Sequence, residues 1–265
     1  MQILSKNISS ILLLGVIAAA NSPAHAGTEL DVVSGLALDS SLHLATSYDQ
    51  NIAPSATSDI VFTAAGNYAN NGEGGRFAFG TAMSAGSLNV LNTTTAITLF
   101  NGNSSTRAPI TLSGGNSVSG NTADLLYVAT GANLTISGFK ADGTSANTVN
   151  LVLGTSGNFN VEGTALISAP IANGTTGALT ANPNALTKTG AGTLTLAGAS
   201  DFGTTGAAVL NVNEGTVVAG SATALPAGLG LRMNGGTLDL NGNDATLGSL
   251  AGLTGAITDR SATAG

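Results

Sequence analysis

The residues able to do chemistry are few and scattered, and that bounds the function early. The 265-residue sequence holds two histidines and no cysteine. His25 lies ahead of the processing site described below, which leaves His43, in LDSSLHLA at 38–45, with Asp39 and Ser41 close by. A Ser–His–Asp nucleophile needs its base and acid brought together by the fold. Nearness in sequence is not that geometry, and His43 reads as a solvated strand residue. Carboxylates are the other candidates. Asp239 and Asp244 share one repeat, with Asp201 and Glu214 in earlier ones. Strands stacked at about 4.8 Å could bring some of them together, as cleavage of a glycosidic bond requires. Arg232 is the nearby base, and the sequence has no tryptophan to serve as a sugar platform. No catalytic residue is assigned.

Metal and phosphate chemistry fare no better. GGTLDLNGND (235–244) shares a Gly-Gly and spaced aspartates with the calcium nonapeptide Gly-Gly-x-Gly-x-Asp. Leu238 stands where that motif has glycine, and the nonapeptide does not recur in tandem. Calcium takes roughly six to eight oxygens, mostly from carboxylates, so the segment reads as a solvated turn. No metal and no cofactor are expected. The phosphate loop Gly-x-x-x-x-Gly-Lys-Ser/Thr is missing. The net charge is −7, and the basic residues after position 26 are Arg76, Arg107, Lys140, Lys188, Arg232 and Arg260, with no cluster. Binding to phosphate backbones or anionic lipid needs clustered Lys and Arg, so nucleic acid is excluded as a partner.

The elements that would carry any site begin after an export signal. Lys6 supplies a positive start, ILLLGVIAAA (11–20) an apolar core, and Ala24-His25-Ala26 a small-residue cleavage site before Gly27. The apolar run is shorter than the roughly 20 residues a spanning helix needs, and no other stretch reads as transmembrane. Glycine contributes 37 residues and charged residues only 8%, while hydrophobic residues make up 43%. That is enough apolar side chain for a core, unlike a disordered chain. Without cysteine, stability must come from packing and backbone pairing.

Short β-type runs follow, separated by Gly, Asn, Ser and Thr: SDIVFT (58–63), GSLNVL (86–91), TAITLF (95–100), APITL (108–112), ANLTIS (132–137), TVNLVL (148–153) and NFNVEG (158–163). Asn70 to Gly75 reads as the most exposed loop. From Leu186 a pattern recurs: LTKTGAGTLTLAG (186–198), LNVNEGTVVAG (210–220) and LRMNGGTLDLNG (231–242). Gly192, Gly215 and Gly236 anchor the copies, 23 and 21 residues apart. Such a period with one short strand per copy marks a solenoid. Alternation predicts one stacked inner column of Leu194, Val217 and Leu238, a second of Leu196, Ala219 and Leu240, and an outer column of Thr195, Val218 and Asp239. Glycines beside each strand are expected to allow the positive φ that tight corners need.

LTKTGAGTLTLAGASDF (186–202) resembles the autotransporter-associated β-strand repeat of type V secreted passenger domains. Leu186, Lys188, Gly190, Gly192, Thr193, Leu194, Leu196 and Gly198 match the first half of that pattern, and Gly215, Thr216 and Val217 its closing Gly-Thr-Leu. Ser200 and Phe202 stand where the family favours Asn and Tyr. GGTLDLNGNDATLGSLAG (235–252), with Gly236, Thr237 and Leu238, is similar to the next rung. The resemblance implies a right-handed parallel β-helix carried to the cell surface. Members of the family usually end in an outer-membrane barrel or a sorting anchor. This sequence stops at ITDRSATAG (257–265), which looks like the start of another rung.

The expected architecture is therefore all-β: a signal peptide at 1–26, irregular solenoid rungs with an N-terminal cap at 27–185, and autotransporter-type repeats, truncated, at 186–265. About 21 residues per rung predicts about 11 rungs and a rod of roughly 50 Å. The expected function is a non-enzymatic, exported stalk or surface element. It would act as a monomer or be attached to a C-terminal barrel or anchor outside this sequence. The alternatives are an adhesin, binding a cell-surface glycan or host protein through an outer face or the loop near 67–76, and a β-helix acting on polysaccharide.

Overall fold

Runs that alternate apolar with small polar residues become strands because an extended chain sends successive side chains to opposite faces. The computed structural model describes residues 28–34, 40–42, 44–68, 75–79, 82–101, 108–140, 149–172, 184–202 and 209–260. Among them lie nineteen strands and one helical turn, Ala45–Ser47. The first seven strands are β1 (Thr28–Asp31), β2 (Ser40–Ser41), β3 (Ser58–Phe62), β4 (Gly75–Phe79), β5 (Met83–Ala85), β6 (Ser87–Val90) and β7 (Ile97–Asn101). Next come β8 (Ala108–Leu112), β9 (Asp124–Val128), β10 (Asn133–Lys140), β11 (Val149–Leu153), β12 (Gly157–Val161) and β13 (Thr164–Ile167). The last six are β14 (Leu186–Thr189), β15 (Thr193–Leu196), β16 (Val209–Val212), β17 (Thr216–Ala219), β18 (Leu229–Asp239) and β19 (Leu247–Thr258).

The chain visits three sides in rotation. On the first side β1, β3, β6, β9, β12, β14, β16 and the start of β18 pair in parallel, and β19 follows β18. On the second, β2, β4, β7, β10, β13, β15, β17 and the end of β18 do the same. Because β18 turns from one side to the other, both trace as one sheet of sixteen strands. The third side holds β5, β8 and β11, and single contacts continue it: Leu151 bridges Ile171, and Ile171 O accepts Asp201 N at 2.9 Å. The protein is thus all-β with mostly parallel strands in one long sheet, an arrangement consistent with a β-solenoid.

Register places the core in columns. Leu30, Ile60, Leu88, Leu126, Phe159, Lys188, Val212 and Met233 lie one above another on the first side. Phe77, Leu99, Ile136, Ile167, Leu196 and Ala219 do so on the second. All fourteen are buried, and every one except Lys188 is apolar. The pairing Leu194–Val217–Leu238 also holds, with Leu134 and Ala165 below it and Ile257 above. At the β1 end, Phe62, Tyr68 and Phe77 pack ring against ring, with centroids 4.9 to 6.0 Å apart.

Three expectations need correction. The period is not uniform: it falls from 38 residues between Leu88 and Leu126 to 19 between Met233 and Gly252. Among the described residues the first side therefore holds nine strands (β1, β3, β6, β9, β12, β14, β16, β18 and β19), against an expectation of about 11 rungs. Eight steps of about 4.8 Å give a stack near 38 Å. The longer early rungs carry extra residues in their corners and loops, which the short late repeats lack. Gly75, placed in the exposed loop by the sequence, instead opens β4; residues 69–74 lie outside the described residues. Asp239 pairs with Val218 as expected but is 9% exposed, because its Oδ1 accepts the backbone N–H of Asn241 and of Arg260.

Candidate functional site

The repeat signature converges on the corner between the first and second sides. In the later rungs this corner is two or three residues long: 162–163, 190–192 and 213–215. Its last residue is glycine in rung after rung: Gly163, Gly192, Gly215 and Gly236. The threonine that follows donates its backbone N–H to the glycine of the rung below. Thr193 N reaches Gly163 O at 3.0 Å, Thr216 N reaches Gly192 O at 3.1 Å, and Thr237 N reaches Gly215 O at 2.8 Å.

Glycines beside the strands do take positive φ, at Gly190, Gly215, Gly228 and Gly242, but the anchors have a further reason. Of the three anchors only Gly215 has a positive φ, +62°. At Gly192 a Cβ would run into Gly163 O, and at Gly236 it would meet Gly215 O at 2.9 Å and Val212 Cγ1 at 2.7 Å. Close backbone approach excludes side chains here. Gly190 combines both reasons, with φ +77° and Val161 O 2.7 Å from where a Cβ would stand. Gly198, at the exit of β15, is packed against Ala169 and Pro170 backbone in the same way.

Lys188 is the residue whose position sequence reasoning missed. It occupies an inward register position between Phe159 and Val212 and is wholly buried. Its Nζ donates to Gly190 O at 2.6 Å, Thr189 O at 2.7 Å, Val161 O at 3.2 Å and Glu214 O at 3.4 Å. One ammonium thereby ties the corners of three successive rungs. Burial pulls its pKa from the ordinary 10.5 down to about 8, against the opposing pull of Glu162 and Glu214. The available signal was the Leu-x-Lys alternation itself, which puts Lys188 on the same face as Leu186. Asn92 does comparable work lower down. Its Nδ2 donates to Gly66 O at 2.7 Å and Thr63 O at 3.1 Å, while its Oδ1 accepts Thr95 N at 2.8 Å.

Two buried carboxylates sit outside the core on the first side. Asp59 accepts from Ser87 Oγ at 2.6 Å and from the N–H and hydroxyl of Ser117. Asn116, also buried, donates to Asn89 Oδ1 at 2.8 Å. The segment around Asn116 and Ser117 is strapped in this way across β3 and β6. Asp124 accepts side-chain amides from Asn121, Asn158 and Asn160 at 2.9 to 3.0 Å. Both carboxylates knit loops to strands.

The chemically capable residues of the sequence are spread apart. Asp201 is half-buried on the third side, Glu214 is exposed at the corner, and Asp244 is exposed after β18. Asp239 is engaged by backbone N–H groups. Asp39 and His43 lie outside the described residues. Among the described residues no three carboxylates or histidines gather as metal ligands, and no helix is long and apolar enough to cross a membrane. Ser200, at the family's Asn position, accepts Ile171 N at 3.3 Å and donates to Gly198 O at 3.2 Å; Phe202 is fully buried. No family model, curated protein or solved structure matches the chain.

Proposed function

We propose that this protein is an exported, right-handed parallel β-helix that acts as a stalk or structural element at the cell surface, in the manner of an autotransporter passenger. The observation that carries the reading is the corner ladder. Gly163, Gly192, Gly215 and Gly236 and the threonines that follow them are joined rung to rung. Interleaved with the apolar columns, they make each rung's stability depend on its neighbours, the property of a self-supporting rod. The resemblance of residues 186–202 to the autotransporter repeat supports the same reading, as does the signal-like segment at 1–26.

The test is expression of the full chain in a Gram-negative host. Mass spectrometry is expected to find a mature N-terminus at Gly27, and protease added to intact cells is expected to reach the protein. A chain that keeps Met1 and stays in the cytoplasm would contradict the proposal. A glycan-binding role has one observation in its favour: Thr164, Thr193, Thr216 and Thr237 stand in register on the outer side of the second face. Retention on a glycan array that is lost on Thr193→Val with Thr216→Val would support that role over a purely structural one.

A further inference from the structure

Five Asn-Gly pairs occur in the sequence, and in two of them both residues are described: Asn234-Gly235 and Asn241-Gly242. The pair has a chemistry of its own. The backbone nitrogen that follows an asparagine can attack the side-chain amide carbon and close a five-membered succinimide, and glycine leaves that nitrogen unshielded. Two things limit the reaction in a folded chain. An amide nitrogen is a poor nucleophile until its proton is drawn off, and the side chain must be free to swing onto it.

The two pairs differ in both respects. Asn234 lies within β18, its Nδ2 donating to Asn213 Oδ1 at 2.8 Å and its backbone O accepting the Thr254 hydroxyl at 2.7 Å. Its side chain is held between rungs. Asn241-Gly242 instead forms the turn that leads from the second side to the third. Asn243 N donates to Leu240 O at 2.9 Å across it, and the two central residues have φ of +50° and +77°, the type I′ geometry that Asn-Gly favours. Both are exposed, and the Asn241 side-chain amide makes no hydrogen bond among the described residues. Gly242 N donates to Asp259 Oδ1, in the following rung, at 2.6 Å. A carboxylate thus holds the proton that has to leave.

We propose that Asn241 is a site of self-modification, deamidating through a succinimide with Asp259 as the base. The Gly242 N–H proton passes to the Asp259 carboxylate as the nitrogen bonds to Asn241 Cγ. The bond from Cγ to the amide nitrogen then breaks, and ammonia departs with that proton. Solvent water opens the ring at either carbonyl, leaving aspartate or isoaspartate at position 241. The product alters the corner. A new carboxylate stands between Asp259 and Asp239, whose Oδ1 accepts Asn241 N at 3.0 Å. Isoaspartate also adds a methylene to the backbone of the turn, and so pulls on Asn243, whose Nδ2 ties this corner to Ala219 O of the rung below at 2.9 Å.

The test holds the full, folded chain under native conditions and maps its peptides by mass spectrometry over time. Aspartate and isoaspartate are expected to accumulate at 241 about tenfold faster than at 234, and at similar rates at both positions in urea, where the fold no longer distinguishes them. Asp259→Asn keeps a carbonyl acceptor for Gly242 N but removes the base. It is expected to slow conversion at 241 on the order of tenfold, less than a base of matched pKa supplies, and Asp259→Glu is expected to restore part of the rate. Circular dichroism checks that each variant is folded. Conversion in the folded wild type that is as fast at 234 as at 241 would overturn the proposal. So would a folded Asp259→Asn protein that converts at the wild-type rate or faster.

Discussion

Lys188 shows how one side chain can carry a corner. An ammonium has three protons, and here four carbonyls from three rungs surround it, so its hydrogen bonds all go to backbone, while Glu162 and Glu214 add favourable charge. The cost is desolvation, which lowers the pKa from 10.5 to about 8. The sign of the linkage follows. Between those two values the unfolded chain binds a proton that the folded one has released, so this group adds stability as pH rises through the window. Buried Tyr48 and Tyr68, whose hydroxyls are raised above 10, work the other way near and above pH 10. The clean range is pH 8 to 9.5. There, urea unfolding of the wild type is expected to gain at most about 2 kcal/mol relative to Lys188→Met. Parallel profiles for the two proteins would show that the ammonium is not the titrating group.

At the scale of strands and corners, the glycine ladder is the feature most open to mutation. Gly192→Ala pushes a methyl into Gly163 O, and backbone can yield only by separating rungs; a loss of about 3 kcal/mol is expected. Gly120→Ala is the control. Its φ is +78° with open space around it, so only the left-handed penalty of about 1 kcal/mol applies. A loss at Gly192 no larger than that at Gly120 would mean that the close approach does not explain the ladder. This difference also marks what could be read in advance. Gly-Thr-apolar repeats after Leu186 disclosed strand, register and inner face, because the copies are short and nearly equal. Alternation also disclosed β3, β6, β7, β8, β10, β11 and β12, but β9 hid for a physical reason. In β9 a bulge against β12 sends adjacent Leu125 and Leu126 both inward, which breaks the alternation that signals a strand. Asp59 reaches residues 28 and 58 positions away and Asp124 residues 34 and 36 away, distances over which spacing carries no pattern.

For the molecule as a whole, the central claim is the register: residues far apart in sequence lie in straight ranks because each turn of chain advances one strand spacing. Columns of this kind need neither disulfides nor a thick core, which suits a chain without cysteine and with 37 glycines. The most direct measurement is a spin-label distance between Thr98→Cys and Val218→Cys, both on the outer side of the second face. They are linked through Thr135, Leu166 and Thr195 by four register steps. Backbones about 19 Å apart are expected, with a narrow distribution, although the two positions are 120 apart in sequence. A broad distribution, or one centred beyond about 30 Å, would contradict the stacked register.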